Sequence, residues 1–348
     1  MQTTNGNATA AAAKRLEQLF SGSKCDWPRF YQPKNESMAF GSRYLLVYPA
    51  LAYFVELSRD PSQADRLRPQ LDTIFRGLIE ERCWKYWHIE NDIETWPLER
   101  ANLTYAGRVA TFVGLYINAF GEPPADSIEI DGRTTTYKEL SRNLHEQMSK
   151  SPSCGVSCFN NSSMVQCNAH LLINNVIHDR LYKTNYSDAN ANWLASVEKN
   201  LLCDEETGSI FFFGTQPNKP DANVDKRAIG TDIWALFLMS AIVPERVSGW
   251  FETWQRNVVS GEENTYVQVG PKDLEEESST NELATAWAYC LAKELGQKER
   301  AEGLRQFLSP KVEKGFNVDP YVTGLFHMGE HLEKGVFHRL VHSAAGKP

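Results

Sequence analysis

Apolar residues recur at helical spacing through most of the chain. In the stretch from Ser37 to Leu57, Tyr44, Tyr48, Leu51 and Val55 fall at i, i+4, i+7 and i+11, which is one face of a helix. From Ser62 to Cys83, Leu67, Leu71, Ile74 and Leu78 form a single stripe on an otherwise polar segment. The same reading predicts helices over Ala11–Phe20, Leu98–Phe120, Tyr137–Met148, Asn168–His178, Ala189–Leu201, Ala228–Ile242, Glu245–Trp254, Thr280–Leu295 and Lys298–Phe307. Strongly apolar segments alternate with more charged ones. Helices buried on both sides need the first composition, and helices with one wet face need the second. Two concentric rings of helices satisfy both, so the predicted fold class is all-α, an (α/α)6-type toroid. No strict repeat is present, and the prediction rests on helix number and polarity. Residues 1–10 read as a flexible tail and 11–348 as one domain.

Strands are predicted as decoration only. Ser127 to Tyr137 alternates in polarity about Asp131-Gly132, a strong hairpin signal. Ile210 to Phe213 reads as a short strand after the Thr207-Gly208 turn. The runs Gly214–Asn223 and Ser260–Ser279, rich in Gly, Pro, Asn, Glu and Ser, read as loops.

Composition narrows the function classes. Apolar residues make up 42% of the 348, enough for a sizeable core. A net charge of -8 argues against nucleic-acid binding, which normally shows a basic face. No window approaches 18 apolar residues, so no membrane span is expected. Met1 to Ala13 lacks the apolar core of a secretion signal, which gives a cytoplasmic expectation. Seven scattered cysteines without a CxxC pair read as free thiols in a reducing compartment, not as a zinc site. Neither GxGxxG nor GxxxxGK[ST] occurs, so no cofactor is expected; nor is there a GxSxG elbow. His327 and His331, and likewise His338 and His342, stand one helical turn apart. Neither pair matches HExxH, and no third ligand is evident beside them, so they read as ordinary histidines and no metal is assigned.

The chemistry concentrates in Cys158-Phe-Asn-Asn-Ser-Ser-Met-Val-Gln-Cys167-Asn168. A polar loop separates two thiols just before an apolar helix. Free N–H groups and the dipole at a helix start stabilise a thiolate, and Cys167 sits there. Two small residues packed under a loop would give the same spacing. The company of this segment decides between the readings. Trp84-x-Tyr86-Trp87, then Asn102-Leu103-Thr104-Tyr105-Ala106-Gly107-Arg108, then Cys158-x8-Cys167-Asn168 resemble, in that order, the linalool dehydratase/isomerase-like family, whose segments read W-x-Y-W, N-[IL]-x-Y-[SA]-G-H and C-x8-C-N. The helix from Gly230 through Trp234 is similar to a later family segment. The resemblance spans roughly residues 26 to 310.

The resemblance implies an α/α barrel and a lyase, isomerase or cyclase that works on a small hydrophobic substrate by acid–base chemistry, without cofactor or metal. It implies catalytic roles for Cys158 and Cys167. Asp26 and Tyr31 match the family's aspartate and first tyrosine, and Tyr44 or Tyr48 the second. Thr104, Tyr105, Trp87, Phe212 and Trp234 become candidate substrate-binding residues. In the family the aspartate can come from a neighbouring subunit, which implies a homo-oligomer. One position departs: the helix histidine of the family is Arg108 here. A guanidinium does not give up its proton near neutral pH, but it binds a carbonyl, a carboxylate or a developing oxyanion through a fork of donors. A larger or more polar substrate, an oxygenated terpenoid or polyketide from secondary metabolism, is the resulting expectation. Two other readings stand beside it. A glycosidase on the same fold would need paired carboxylates, for which Asp92, Glu94, Asp232 and Glu282 are available, with Trp84 and Trp96 to stack on sugars. A non-catalytic helical binding protein would have no use for the thiol pair.

Overall fold

The structure is a computed structural model and describes residues 5–22, 46–85, 96–99, 102–158, 162–203, 209–212, 214–216, 219–224, 228–260, 265–270, 280–314 and 320–343. Its helices are α1 (Asn5–Phe20), α2 (Val47–Arg59), α3 (Ala64–Ile79), α4 (Glu81–Trp84), α5 (Leu103–Phe120), α6 (Tyr137–Lys150), α7 (Val165–Tyr182), α8 (Asp188–Asn200), α9 (Ile229–Ser240), α10 (Pro244–Trp254), α11 (Asn281–Glu294), α12 (Lys298–Lys314), α13 (Pro320–His331) and α14 (Val336–His342). Seven short strands accompany them among the described residues: β1 (Ile128–Ile130), β2 (Arg133–Thr135), β3 (Ser163–Met164), β4 (Gly214–Gln216), β5 (Lys219–Val224), β6 (Val258–Ser260) and β7 (Thr265–Val267).

Packing between neighbours traces a closed ring, α2 to α5, α7, α9, α11, α13 and back to α2. These are the apolar segments. In α5 every residue from Leu103 to Asn118 is buried, because the helix has ring neighbours, an outer helix and the lumen around it. The charged helices α1, α3, α6, α8, α10 and α12 form the outer layer. Ion pairs and polar contacts link that layer laterally, as between Arg246 of α10 and Glu198 of α8 at 3.0 Å. The (α/α)6-type barrel expected from polarity alternation is therefore the fold.

Because every inner helix is reached from an outer one, all six run the same way. Five of the segments entering them, 21–46, 80–102, 151–164, 201–228 and 255–280, are long, whereas 315–319, which enters α13, is short, as are most of the segments leaving the inner helices. The end where the inner helices finish is stoppered by α14. Phe337 stacks on Phe237 with ring centroids 4.7 Å apart. Glu294 accepts from the N–H groups of Phe337 and His338 at 2.8 and 3.0 Å. Rings of His338 and His342 both meet the Ala241 carbonyl, at 2.8 and 2.9 Å, so this histidine pair is structural.

Several sequence expectations are corrected. Helix α1 begins at Asn5, with Ala8 and Ala12 fully buried, where the sequence suggested a helix only from Ala11. α13 and α14 escaped the periodicity reading because glycine, proline and histidine interrupt their apolar pattern. Gly214–Asn223 contains β4 and β5, not only loop: β4 finds a partner in β3, which no local pattern announces. β6 and β7 likewise pair across the start of the second expected loop. The Asp131-Gly132 hairpin forms as read, with both residues at positive φ, 53° and 69°.

Close helix approach depends on glycine at few positions. A Cβ on Gly329 of α13 would lie 2.2 Å from the Tyr289 ring of α11. That ring is held in place, since its hydroxyl donates to Glu330 at 2.6 Å and Glu330 is paired with Arg305 at 2.7 Å. Gly329→Ala is therefore expected to lower stability by about 1–3 kcal/mol through overpacking, read as an earlier urea midpoint with unchanged slope.

Candidate functional site

α7 starts at Val165, so Cys167 is its third residue, among backbone N–H groups that have no partner inside the helix. The next residue, Asn168, explains the geometry of the thiol pair. Its Oδ1 accepts from the Val156 N–H at 2.9 Å, and its Nδ2 donates to the carbonyls of Val156 and Met164 at 3.2 and 2.9 Å. A fully buried amide used in this way clamps the Cys158 loop onto the first turn of α7. The loop is tied on its other side too: the Leu103 N–H, at the start of α5, donates to Ser157 at 3.0 Å, and the Cys158 N–H donates to Ser162 at 2.7 Å. β3 then pairs with β4 at Gly214, where a Cβ would sit 2.6 Å from the Ser163 carbonyl.

Thr104 and Arg108 lie one turn apart on α5 and face the same thiol. Thr104 Oγ1 is 3.3 Å from Cys167 Sγ. The Arg108 guanidinium is fully buried, donates to the Thr104 carbonyl, and stacks over the Trp234 ring at 4.8 Å. Burial on its own would push the Cys167 thiol up. The hydrogen bond from Cys158, the positive charge of Arg108 and the hydrogen bonds of Thr104 and Arg108 outweigh it, and Cys167 is pulled down to about 6. Cys158 moves the other way, through burial and through donating to its partner. A proton shared by the pair is thus favoured on Cys158.

His170 stands three residues after Cys167 on α7 and is wholly buried. Burial, and then the charge of Arg108, hold its imidazole neutral. Neither ring nitrogen has a protein partner, and the ring meets the edge of Trp234 at 6.4 Å. Sequence reading missed this residue; its signal was the i, i+3 spacing from Cys167. Around this polar cluster the lumen is aromatic. Tyr48 touches Trp234, Trp287 and Tyr321 edge-on at 5.7, 4.8 and 6.1 Å. Trp287 and Tyr321 were also missed, since only ring closure brings α11 and α13 to the other walls.

Of the sequence candidates, the structure thus assembles Cys158, Cys167, Arg108, Thr104, Trp234 and Tyr48. Tyr105 is the correction: its hydroxyl donates to the Leu78 carbonyl of α3 at 2.7 Å, so it joins the two helix layers and does not face the thiols. Phe212 is half-buried, on a segment whose N–H bonds Leu201 and which leads into β4. Asp26, Tyr31, Tyr44 and Trp87 lie outside the described residues, as do Asp92 and Glu94. Asp232 is committed to the Ser209 hydroxyl and the Ile210 N–H, both at 2.6 Å, and Glu282 pairs with Lys311 at 2.9 Å.

The thiolate has a spectroscopic consequence. Absorbance near 240 nm should rise in a step with its midpoint near pH 6, and Cys167→Ser should remove that step. Arg108→Gln should shift the midpoint upward, because the positive charge that favours the thiolate is gone. A wild-type titration with no step below pH 8 would mean that Cys167 is an ordinary thiol.

The fold has a counterpart among solved structures. An inactive variant of an alpha-1,6-mannanase from a Salegentibacter species, determined with alpha-1,6-mannotetrose, aligns over 92% of this chain and 98% of its own, with a TM-score of 0.50 and 13% identity. At that identity the likeness is one of architecture alone. The sequence comparison is more specific, because residues 43–319 match the family described as linalool dehydratase/isomerase, and that span contains the thiol pair, its Asn168 clamp and Arg108. The chain belongs to the linalool dehydratase/isomerase family.

Proposed function

We propose that this protein is a lyase or isomerase that works with side chains alone on an oxygenated, largely apolar terpenoid or polyketide, by dehydration, double-bond isomerisation or cyclisation. The observation that carries the reading is the thiol–thiolate pair set against Arg108 inside an aromatic lumen. Such reactions need a proton delivered to an oxygen or alkene, a proton removed from carbon, and walls that keep water out. Cys158 holds the proton and donates it. The Cys167 thiolate accepts a proton from substrate carbon. His170, neutral and without a protein partner at either nitrogen, carries protons between substrate positions. Tyr48, Trp234, Trp287 and Tyr321 supply the apolar walls.

Arg108 selects the substrate class. A fixed guanidinium in a water-poor lumen disfavours a full carbocation nearby and favours negative charge developing on oxygen. A carbonyl, carboxylate or enolate oxygen fits it better than a plain hydrocarbon alcohol does. Asp26 and Tyr31 are retained as candidates for a further acid, from this chain or a second copy. Sugar hydrolysis draws less support. Asp232 is consumed by backbone and hydroxyl donors, and Glu282 is held low by Lys311, opposite to the raised carboxylic acid that hydrolysis needs. The inactive mannanase variant replaces two adjacent aspartates, and no such pair occurs in this sequence.

Screening alkenyl alcohols bearing a carbonyl or carboxylate for loss of water or change of skeleton by mass spectrometry tests the proposal. With an active substrate, Cys167→Ala should lower kcat/KM by about 100-fold or more while the circular dichroism spectrum is unchanged. Arg108→Lys keeps the charge and loses the fork, and should raise KM above all for carbonyl-bearing substrates. His170→Gln should slow turnover by about 100-fold yet leave the thiolate step in place. Full activity of the Cys167→Ala protein would remove the thiol pair from the mechanism.

A further inference from the structure

Away from the thiols, near the finishing end of α2 and α13, Glu56, His327 and His331 place their donor atoms within 4.8 Å of one another. Helix register brings them there. A Cβ on Gly324 of α13 would lie 3.1 Å from the Pro49 Cα of α2, so the two backbones touch at that level. Glu56 follows Pro49 by two turns, and His327 and His331 follow Gly324 by about one and two turns on the same parallel pair. The two imidazoles share a face of α13, with ring centroids 4.6 Å apart.

Glu56 is already prepared as a ligand. Arg66 from α3 donates to Oε1, which orients the carboxylate, and Oε2 faces His327 Nε2 at 2.9 Å. Glu56 and His327 are buried and His331 is half-buried, so solvent reaches the cluster from one side. His327 is oriented through Nε2 by Glu56, and its Nδ1 is buried without a protein partner. Two imidazoles and one carboxylate suit a borderline first-row cation. Calcium and magnesium prefer all-oxygen shells.

We propose that Glu56, His327 and His331 bind one divalent cation of the zinc, nickel or cobalt class, with Arg66 holding the carboxylate from outside. The position gives the ion a structural task. α2 and α13 are the first and last inner helices in chain order, and Glu56 and His327 are 271 residues apart in sequence. A shared ion pins the seam at which the ring closes, and long closures gain most from such a pin. This inference is independent of the activity proposed above, because neither ligand helix carries a thiol and binding is read without substrate.

The test uses the full chain, stripped with chelator and dialysed. Cobalt(II) titration should give visible d–d absorption that saturates at one equivalent, is displaced by zinc, and is accompanied by a higher Tm. His331→Ala removes a half-buried ligand, and Glu56→Gln keeps the carboxylate's shape and most of its hydrogen bonds, so both variants should fold. Each should weaken cobalt binding by at least about 10-fold and lose the Tm shift. Cys158→Ser/Cys167→Ser should bind as wild type does. No saturable binding to the wild type, binding unchanged in both ligand variants, or binding lost with the thiols would each overturn the inference.

Discussion

A guanidinium sealed inside a ring of helices must be neutralised and given donors' partners from within, and Arg108 sets that requirement for the centre of this barrel. The Thr104 carbonyl takes one donor, the Trp234 face takes the cation, and Cys167 supplies the negative charge. Burial, and then the same charge, keep His170 neutral one turn along α7. Four side chains from three inner helices are therefore set in mutually dependent states. Against the cost of burial, the Cys158 hydrogen bond and then the arginine's charge draw Cys167 toward its thiolate, and negative charge there in turn offsets the burial of the arginine.

The fold that holds this cluster separates two tasks. Inner helices are largely buried and stand in fixed register, which holds the residues of their first turns in place. The long segments leading into those helices are free to differ in length and composition without disturbing the ring. Asn168 joins the two regimes, because it belongs to a rigid helix and holds the Cys158 loop with three hydrogen bonds.

What the sequence disclosed follows from what is local. The helix pairs were legible because burial on two sides or one imprints a composition on each segment, and the Asp131-Gly132 turn because positive φ selects those residues. The thiol pair and Arg108 were legible because they lie within short motifs. Trp287, Tyr321 and Glu56 were not, since Trp287 and Tyr321 meet Tyr48, and Glu56 meets His327, only when the ring of helices closes. Tyr105 misled for a related reason. Membership of a motif says that a residue matters, but whether it faces the lumen or the outer layer is decided by a rotation of the helix that the motif does not encode. β4 was hidden because its pairing partner lies some fifty residues away, in β3.

The α14 stopper has a consequence for traffic. With Phe337 stacked on Phe237, and Glu294, Ala241 and Arg180 all bonded to its backbone or rings, the barrel is closed at the end where its inner helices finish. A molecule bound among the aromatic walls would then have to come and go at the end where the inner helices begin. Arrival and departure therefore exclude each other: a departing molecule that lingers blocks its successor. An accumulated product would then compete with substrate for the empty protein, and the residence time of the more oily of the two would limit throughput.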